Sequence, residues 1–173
     1  MGVKINKPML PLDLNETPRQ ILENHFPSIG NLPISGGWGY SKDDCIIIDR
    51  DDPTVSKEMP FDGISVEYIF VEKRIYEELI VFPPKGYQFS GIEWNLNEQR
   101  FESVKNRHLD FLSFKVTAFP DDDWDYLKKA WETNNGFIDS PTDLTLHQKE
   151  REKRICYYNT EYWFDITSFY GKA

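Results

Sequence analysis

The chain is poor in the residue types that usually announce a chemistry. It has only two cysteines, Cys45 and Cys156, set in separate apolar runs without C-x-x-C spacing. That pattern excludes a disulfide framework or a zinc–thiolate site and predicts two reduced core thiols. The three histidines, His25, His108 and His147, have no metal-ligand spacing to one another or to a cysteine, and no serine lies in a G-x-S-x-G elbow. No apolar run approaches membrane-spanning length, and the opening MGVKINKPMLPLDLNE lacks the apolar centre of a secretory leader. A cytoplasmic protein with no membrane contact is therefore expected. Asn6 stands where N-myristoylation requires Ser or Thr. Basic charge is scarce as well: 20 Lys and Arg face 29 Asp and Glu, a net charge of −9, which repels nucleic acid. The densest basic run, Lys149 to Arg154, is interleaved with Glu150 and Glu152 and reads as an ion-paired helix face.

Aromatic residues are plentiful at 15% and supply the core that a modest aliphatic content would leave thin. Residues 1 to 16, with Pro8 and Pro11, read as an extended arm, and residues 17 to 173 as one domain without linker or repeat. Thr17, Pro18 and Gln20 form a capping box that opens a helix closed by Pro27, with His25 in its last turn. Cys45 to Ile48 is a short buried strand. From Val66 to Phe82 the spacing of Tyr68, Val71, Ile75, Leu79 and Phe82 is helical, with Glu72, Lys73, Tyr76 and Glu77 outward, although VEYIFV also has strand character. Tyr87 to Leu96 and Leu112 to Ala118 are strands, joined by a polar stretch with a further strand near Arg100 to Val104. Asp121 to Asp123 start a helix that ends at Asn135–Gly136, and Ser140–Pro141 starts another. The chain closes on an aromatic strand in which Cys156, Tyr158, Tyr162, Phe164 and Ile166 share a face; a hairpin at Asn159–Thr160 is the alternative. The order predicts an α+β fold, a mainly antiparallel sheet with three to four helices packed against it.

Candidate chemistry concentrates in residues 35 to 52, SGGWGYSKDDCIIIDRDD. Gly36, Gly37 and Gly39 match neither a P-loop nor a G-x-G-x-x-G turn, and they precede a strand where phosphate loops precede a helix. They are expected to let Trp38 and Tyr40 fold inward or be displayed. The carboxylates Asp49, Asp51 and Asp52 leave the strand in a turn that Pro53 favours. The spacing also fails as a Ca²⁺ loop, since Thr54 and Pro60 occupy its sixth and twelfth positions.

The strand followed by Asp49-x-Asp51 resembles the first motif of haloacid-dehalogenase-like phosphatases. That resemblance implies a metal-dependent hydrolase with Asp49 as nucleophile and Asp51 as general acid beside Mg²⁺. Pro53 departs from the family's Thr or Ser, and no later strand ends in its metal-binding aspartate pair. The leading expectation is instead a small, acidic, cofactor-free binding protein of bacterial type. It would be immunity- or antitoxin-like, masking a basic protein partner with a surface made of Trp38, Tyr40, Asp49, Asp51 and Asp52.

Overall fold

In a computed structural model that describes residues 2–7, 15–83 and 86–172, the chain order is β1 (Val3–Lys4), α1 (Pro18–His25), β2 (Ile34–Gly36), β3 (Ile46–Ile48), α2 (Gly63–Tyr76), β4 (Phe89–Val104), β5 (Arg107–Pro120), α3 (Asp121–Thr133), α4 (Pro141–Arg154) and β6 (Cys156–Asp165). The fold is α+β, with four α-helices and six strands among the described residues. The sheet runs β2-β3-β6-β5-β4, with β1 also on β6. It is mixed: the β2–β3, β4–β5 and β5–β6 pairs are antiparallel, while β1 and β3 both run parallel to β6.

The polar stretch expected to connect two strands is the far half of one long hairpin. Lys105, with φ of 56°, turns the chain between β4 and β5. Along that outer half Arg100 bonds Glu98 at 2.6 Å and Glu102 at 3.1 Å on β4, while Leu109 and Phe111 of β5 pack with Cys45 and Trp163 in a second, smaller core. Bulges at Ser90/Glu93 and Leu96/Glu98 twist β4, which is an edge strand. Gly91 sits in the first bulge with φ of 60°, and a Cβ there would fall 2.6 Å from the Trp124 ring. Bare backbone at that point seats α3 on the sheet.

β6 is continuous, because Thr160 is buried within the same inward row and leaves no place for a hairpin. Its one edge pairs with β5 from Cys156 to Asp165. Its other edge is shared, with β1 at Cys156 and Tyr157 and β3 at Phe164 and Asp165. Neither short strand reaches the middle, from Tyr158 to Tyr162.

α2 covers this face of the sheet, burying Val66, Phe70, Val71, Ile75 and the following Leu79 against Leu112, Phe114, Tyr162 and Phe164. The expected apolar stripe is displaced: Tyr68 and Phe82 are exposed, and Phe70 replaces them. The outward placement of Glu77 is also corrected. Glu77–Val81 form a π-helical turn, closed by Phe82 N–H donating to the Glu77 carbonyl at 2.8 Å, and the wider turn brings both Glu77 and Glu78 inward. The alternation along β5 puts Phe119 on the opposite face, where Trp124 of α3 and Arg151 of α4 cover it.

The capping box of α1 is present, with Thr17 N–H donating to Gln20 at 2.9 Å and Gln20 N–H to Thr17 Oγ1 at 3.3 Å. Both cysteines are buried and free. Val3 and Lys4 join the sheet; of the expected N-terminal arm, residues 8–14 lie outside the described residues. No helix is long and apolar enough to cross a membrane, among the described residues.

Candidate functional site

The glycine loop determines where Trp38 and Tyr40 go. Gly36 and Gly39 both adopt φ of 83°, in the left-handed region that a side chain disfavours. Gly39 is locked from both sides, donating to the Asp44 carbonyl at 2.6 Å and accepting from Trp163 N–H at 2.7 Å. The loop thereby turns Trp38 into the core, where it is 2% exposed, and lays Tyr40 against Tyr162, in the middle of β6 between the points where β1 and β3 pair with it.

Arg74 of α2 meets them there, and it is fully buried. Its guanidinium carbon lies 4.4 Å from the Trp38 ring centre and 5.3 Å from that of Tyr40, a desolvated cation–π arrangement. One nitrogen, Nη2, donates to the Tyr40 hydroxyl. Its Nε and Nη1 have no hydrogen-bond partner among the described residues, and Nη1 lies 3.9 Å from Glu77 Oε1. The other Glu77 oxygen takes His25 Nδ1 at 2.6 Å. Burial pushes the Glu77 carboxyl above its ordinary range, opposed by Arg74 and His25.

Next along the chain, Glu78 accepts from three phenols: Tyr158 at 2.8 Å, Tyr162 at 3.2 Å and Tyr40 at 3.2 Å. Burial, reinforced by Glu78, raises all three tyrosine pKa values, so the hydroxyls remain donors. Lys7 closes the rim, its ammonium 3.8 Å from the Tyr40 ring centre and 5.5 Å from that of Tyr162. Desolvation lowers its pKa to about 8 despite the pull of Glu78. Two buried carboxylates and Arg74, with the half-buried Lys7 and His25 beside them, thus fasten α2 to β6. A further buried acid, Glu67, lies earlier in α2. Burial, with Asp110 and Asp62 nearby, lifts its pKa to about 8.

The aspartates of residues 49 to 52 form a separate feature. Asp49 Oδ1 accepts Asp51 N–H at 2.9 Å, and Asp52 Oδ1 accepts Thr54 N–H at 2.9 Å, so both are engaged in Asx turns. Asp52 also pairs with Arg19 at 2.8 Å; the Thr54 hydroxyl, more than that arginine, holds its carboxyl below the usual range. Asp51 is exposed beside an open groove of about 720 Å³ that Arg50 and Lys57 also line, and neither Trp38 nor Tyr40 reaches it. The five residues expected to make one surface therefore divide into an inward pair, Trp38 buried and Tyr40 half-buried, and a turn. Among the described residues, no group of three His, Cys, Asp or Glu side chains is placed to hold a metal ion.

A different surface combines acid and aromatic character. Where β4 begins and β5 runs into α3, Tyr87, Pro83, Pro120, Asp121 and Asp122 surround a concavity of about 540 Å³. Tyr87 is 51% exposed and stacks on Phe89 at 5.7 Å. Asp121 accepts from Ser90 Oγ at 2.7 Å, while Asp122 is exposed, and no lysine or arginine lines this hollow among the described residues.

No protein-family model, no curated protein and no solved structure matches the chain, so its function has to be argued from these side chains.

Sequence reasoning missed Arg74, Glu77, Glu78 and Lys7. The one available hint was KRIYEELI, where charges crowd the apolar positions Ile75 and Leu79 within a turn. A π-helical turn leaves no mark in composition. Tyr87, Asp121 and Asp122 were read only as a strand residue and a helix start, because the fold alone brings residues this far apart in sequence into one hollow.

Proposed function

We propose that this chain is a small, non-catalytic, acidic binding protein that docks a basic protein partner, in the manner of an immunity or antitoxin protein of the bacterial cytoplasm. The observation that carries the reading is the hollow at Tyr87, Asp121 and Asp122. It joins a half-exposed aromatic ring to two carboxylates, with no lysine or arginine in its lining among the described residues, on a chain of net charge −9. A tyrosine lining a concave patch supplies a rigid contact, and neighbouring carboxylates select a basic surface and speed encounter with it. The turn at Asp49, Asp51 and Asp52 is a second acidic element, diluted by Arg50 and Lys57. Trp38 and Tyr40 support the fold beneath.

The test is affinity capture of partners from extracts of the source cells, using the wild-type chain, the Asp121→Lys/Asp122→Lys variant and Asp51→Lys, followed by titration of any purified partner in salt. The reading expects a basic partner that is lost by the first variant, kept by the second, and bound less tightly as ionic strength rises. A partner lost only with Asp51→Lys would move the surface back to the aspartate turn. An affinity indifferent to salt would end the electrostatic account.

A further inference from the structure

We propose that the groove between α3 and α4 is a binding site for a small aromatic carboxylate. Its walls are Trp124, Leu127 and Trp131 from α3 and Leu144 from α4, and it encloses about 500 Å³, within the size of small-molecule sites. One wall is rigid. Trp124 is wedged against the Gly91 backbone and packs on Phe119 at 5.5 Å between ring centres. The opposite ring is open: Trp131 is 47% exposed, held at its edges by His147 at 5.8 Å and Phe137 at 6.1 Å.

The charged groups at the groove share one sign. Lys128 and Arg151 line it, with the His147 imidazole and the Gln148 amide, and no carboxylate does among the described residues, although acids outnumber bases by 29 to 20 in the whole chain. Lys128 has no ion-pair partner among the described residues. Arg151 reaches Glu93 only at 4.0 Å and spreads its guanidinium 4.8 Å from the centre of the Phe119 ring and 5.9 Å from that of Trp124. A flat apolar body fits between the two tryptophans, and an anionic end is drawn to the lysine and arginine at the rim. At about 500 Å³, with an aromatic ring from each end of α3 in its lining, the hollow suits a free small molecule of one or two rings better than a helix of another protein.

The probe is 2-naphthoate, titrated into the full chain by calorimetry and by tryptophan fluorescence, with the uncharged 2-naphthamide beside it. One saturable site is expected, with Kd of about 10 µM to 1 mM. The amide should bind about tenfold more weakly. Trp131→Leu should abolish binding, and Lys128→Glu, at an exposed position, should weaken it about fivefold or more. Lys57→Glu makes the same charge change away from the groove and should leave the affinity within about twofold. Far-UV circular dichroism and melting curves establish that each variant is folded. The proposal is overturned if naphthoate does not saturate, if the amide binds equally well, or if Lys57→Glu and Lys128→Glu weaken binding alike. Asp122→Lys, which disrupts the protein-docking hollow, should not diminish naphthoate binding, so the two surfaces can fail separately.

Discussion

Replacing Arg74 by methionine tests whether the buried charge cluster holds the fold together. The substitution keeps an unbranched apolar stem in the space beside Trp38 and removes the cation. Four things change at once. The stacking on Trp38 at 4.4 Å is lost, the Tyr40 hydroxyl loses a donor, Glu77 keeps only His25, and the net charge of the cluster moves by one toward negative. Removing one member of a buried ion pair costs about 3–5 kcal/mol, because the remaining charge stays desolvated. For a chain of this size the loss corresponds to a fall in Tm of about 6–20 °C. Urea unfolding followed by tryptophan fluorescence measures it, with the slope m unchanged from wild type so that the shift in midpoint reports stability alone. The double variant Arg74→Met/Glu77→Gln should recover about 1–3 kcal/mol, since it removes the stranded carboxylate. A loss below about 1 kcal/mol for the single variant, or no recovery in the double, would refute the view that these side chains balance one another in a dry interior.

Three further outcomes follow from the same geometry. Glu67 has its folded pKa raised to about 8, so the folded state holds its proton more tightly than the unfolded chain does. Its contribution is then fully present below the ordinary carboxyl range and is lost as pH rises toward about 8. Glu67→Gln should flatten that fall and raise Tm at pH 8 relative to wild type; parallel pH profiles for the two proteins would show that Glu67 is not the source. Gly91→Ala places a Cβ 2.6 Å from the Trp124 ring at a φ of 60°, and should cost about 1–3 kcal/mol in denaturant unfolding, whereas an unchanged midpoint would mean that α3 shifts freely on the sheet. Mg²⁺ at millimolar concentration should leave the melting temperature of wild type and of Asp49→Asn alike, given that Asp49 is spent on Asp51 N–H; a metal-dependent rise abolished by Asp49→Asn would restore the phosphatase-like reading.

Local chemistry explains what was legible beforehand. The Thr17–Gln20 box, the Ser140–Pro141 start and the acidic opening of α3 depend on residues within one turn of each other, and each lies where the sequence places it. The alternation of Leu112, Phe114, Val116 and Ala118 likewise needs only the pleat of a strand. The hairpin was harder, since its outer half carries ion pairs where a periodic apolar face would have marked a strand.

By itself, then, the sequence determined the α+β character, the starts of α1, α3 and α4, the glycine loop and the acidic charge; the start of α2 at Gly63, capped by Asp62, it did not. Only the tertiary structure decided that Trp38 and Tyr40 turn inward onto Arg74, that Glu77 and Glu78 are core residues, and that Tyr87 meets Asp121 and Asp122 in one hollow. The physical reason is the same in each case. A helical pattern with one widened turn rotates the residues beyond it, and strands parallel to β6 at its two ends leave a middle that remote side chains must fill, so position along the chain no longer predicts which way a side chain faces.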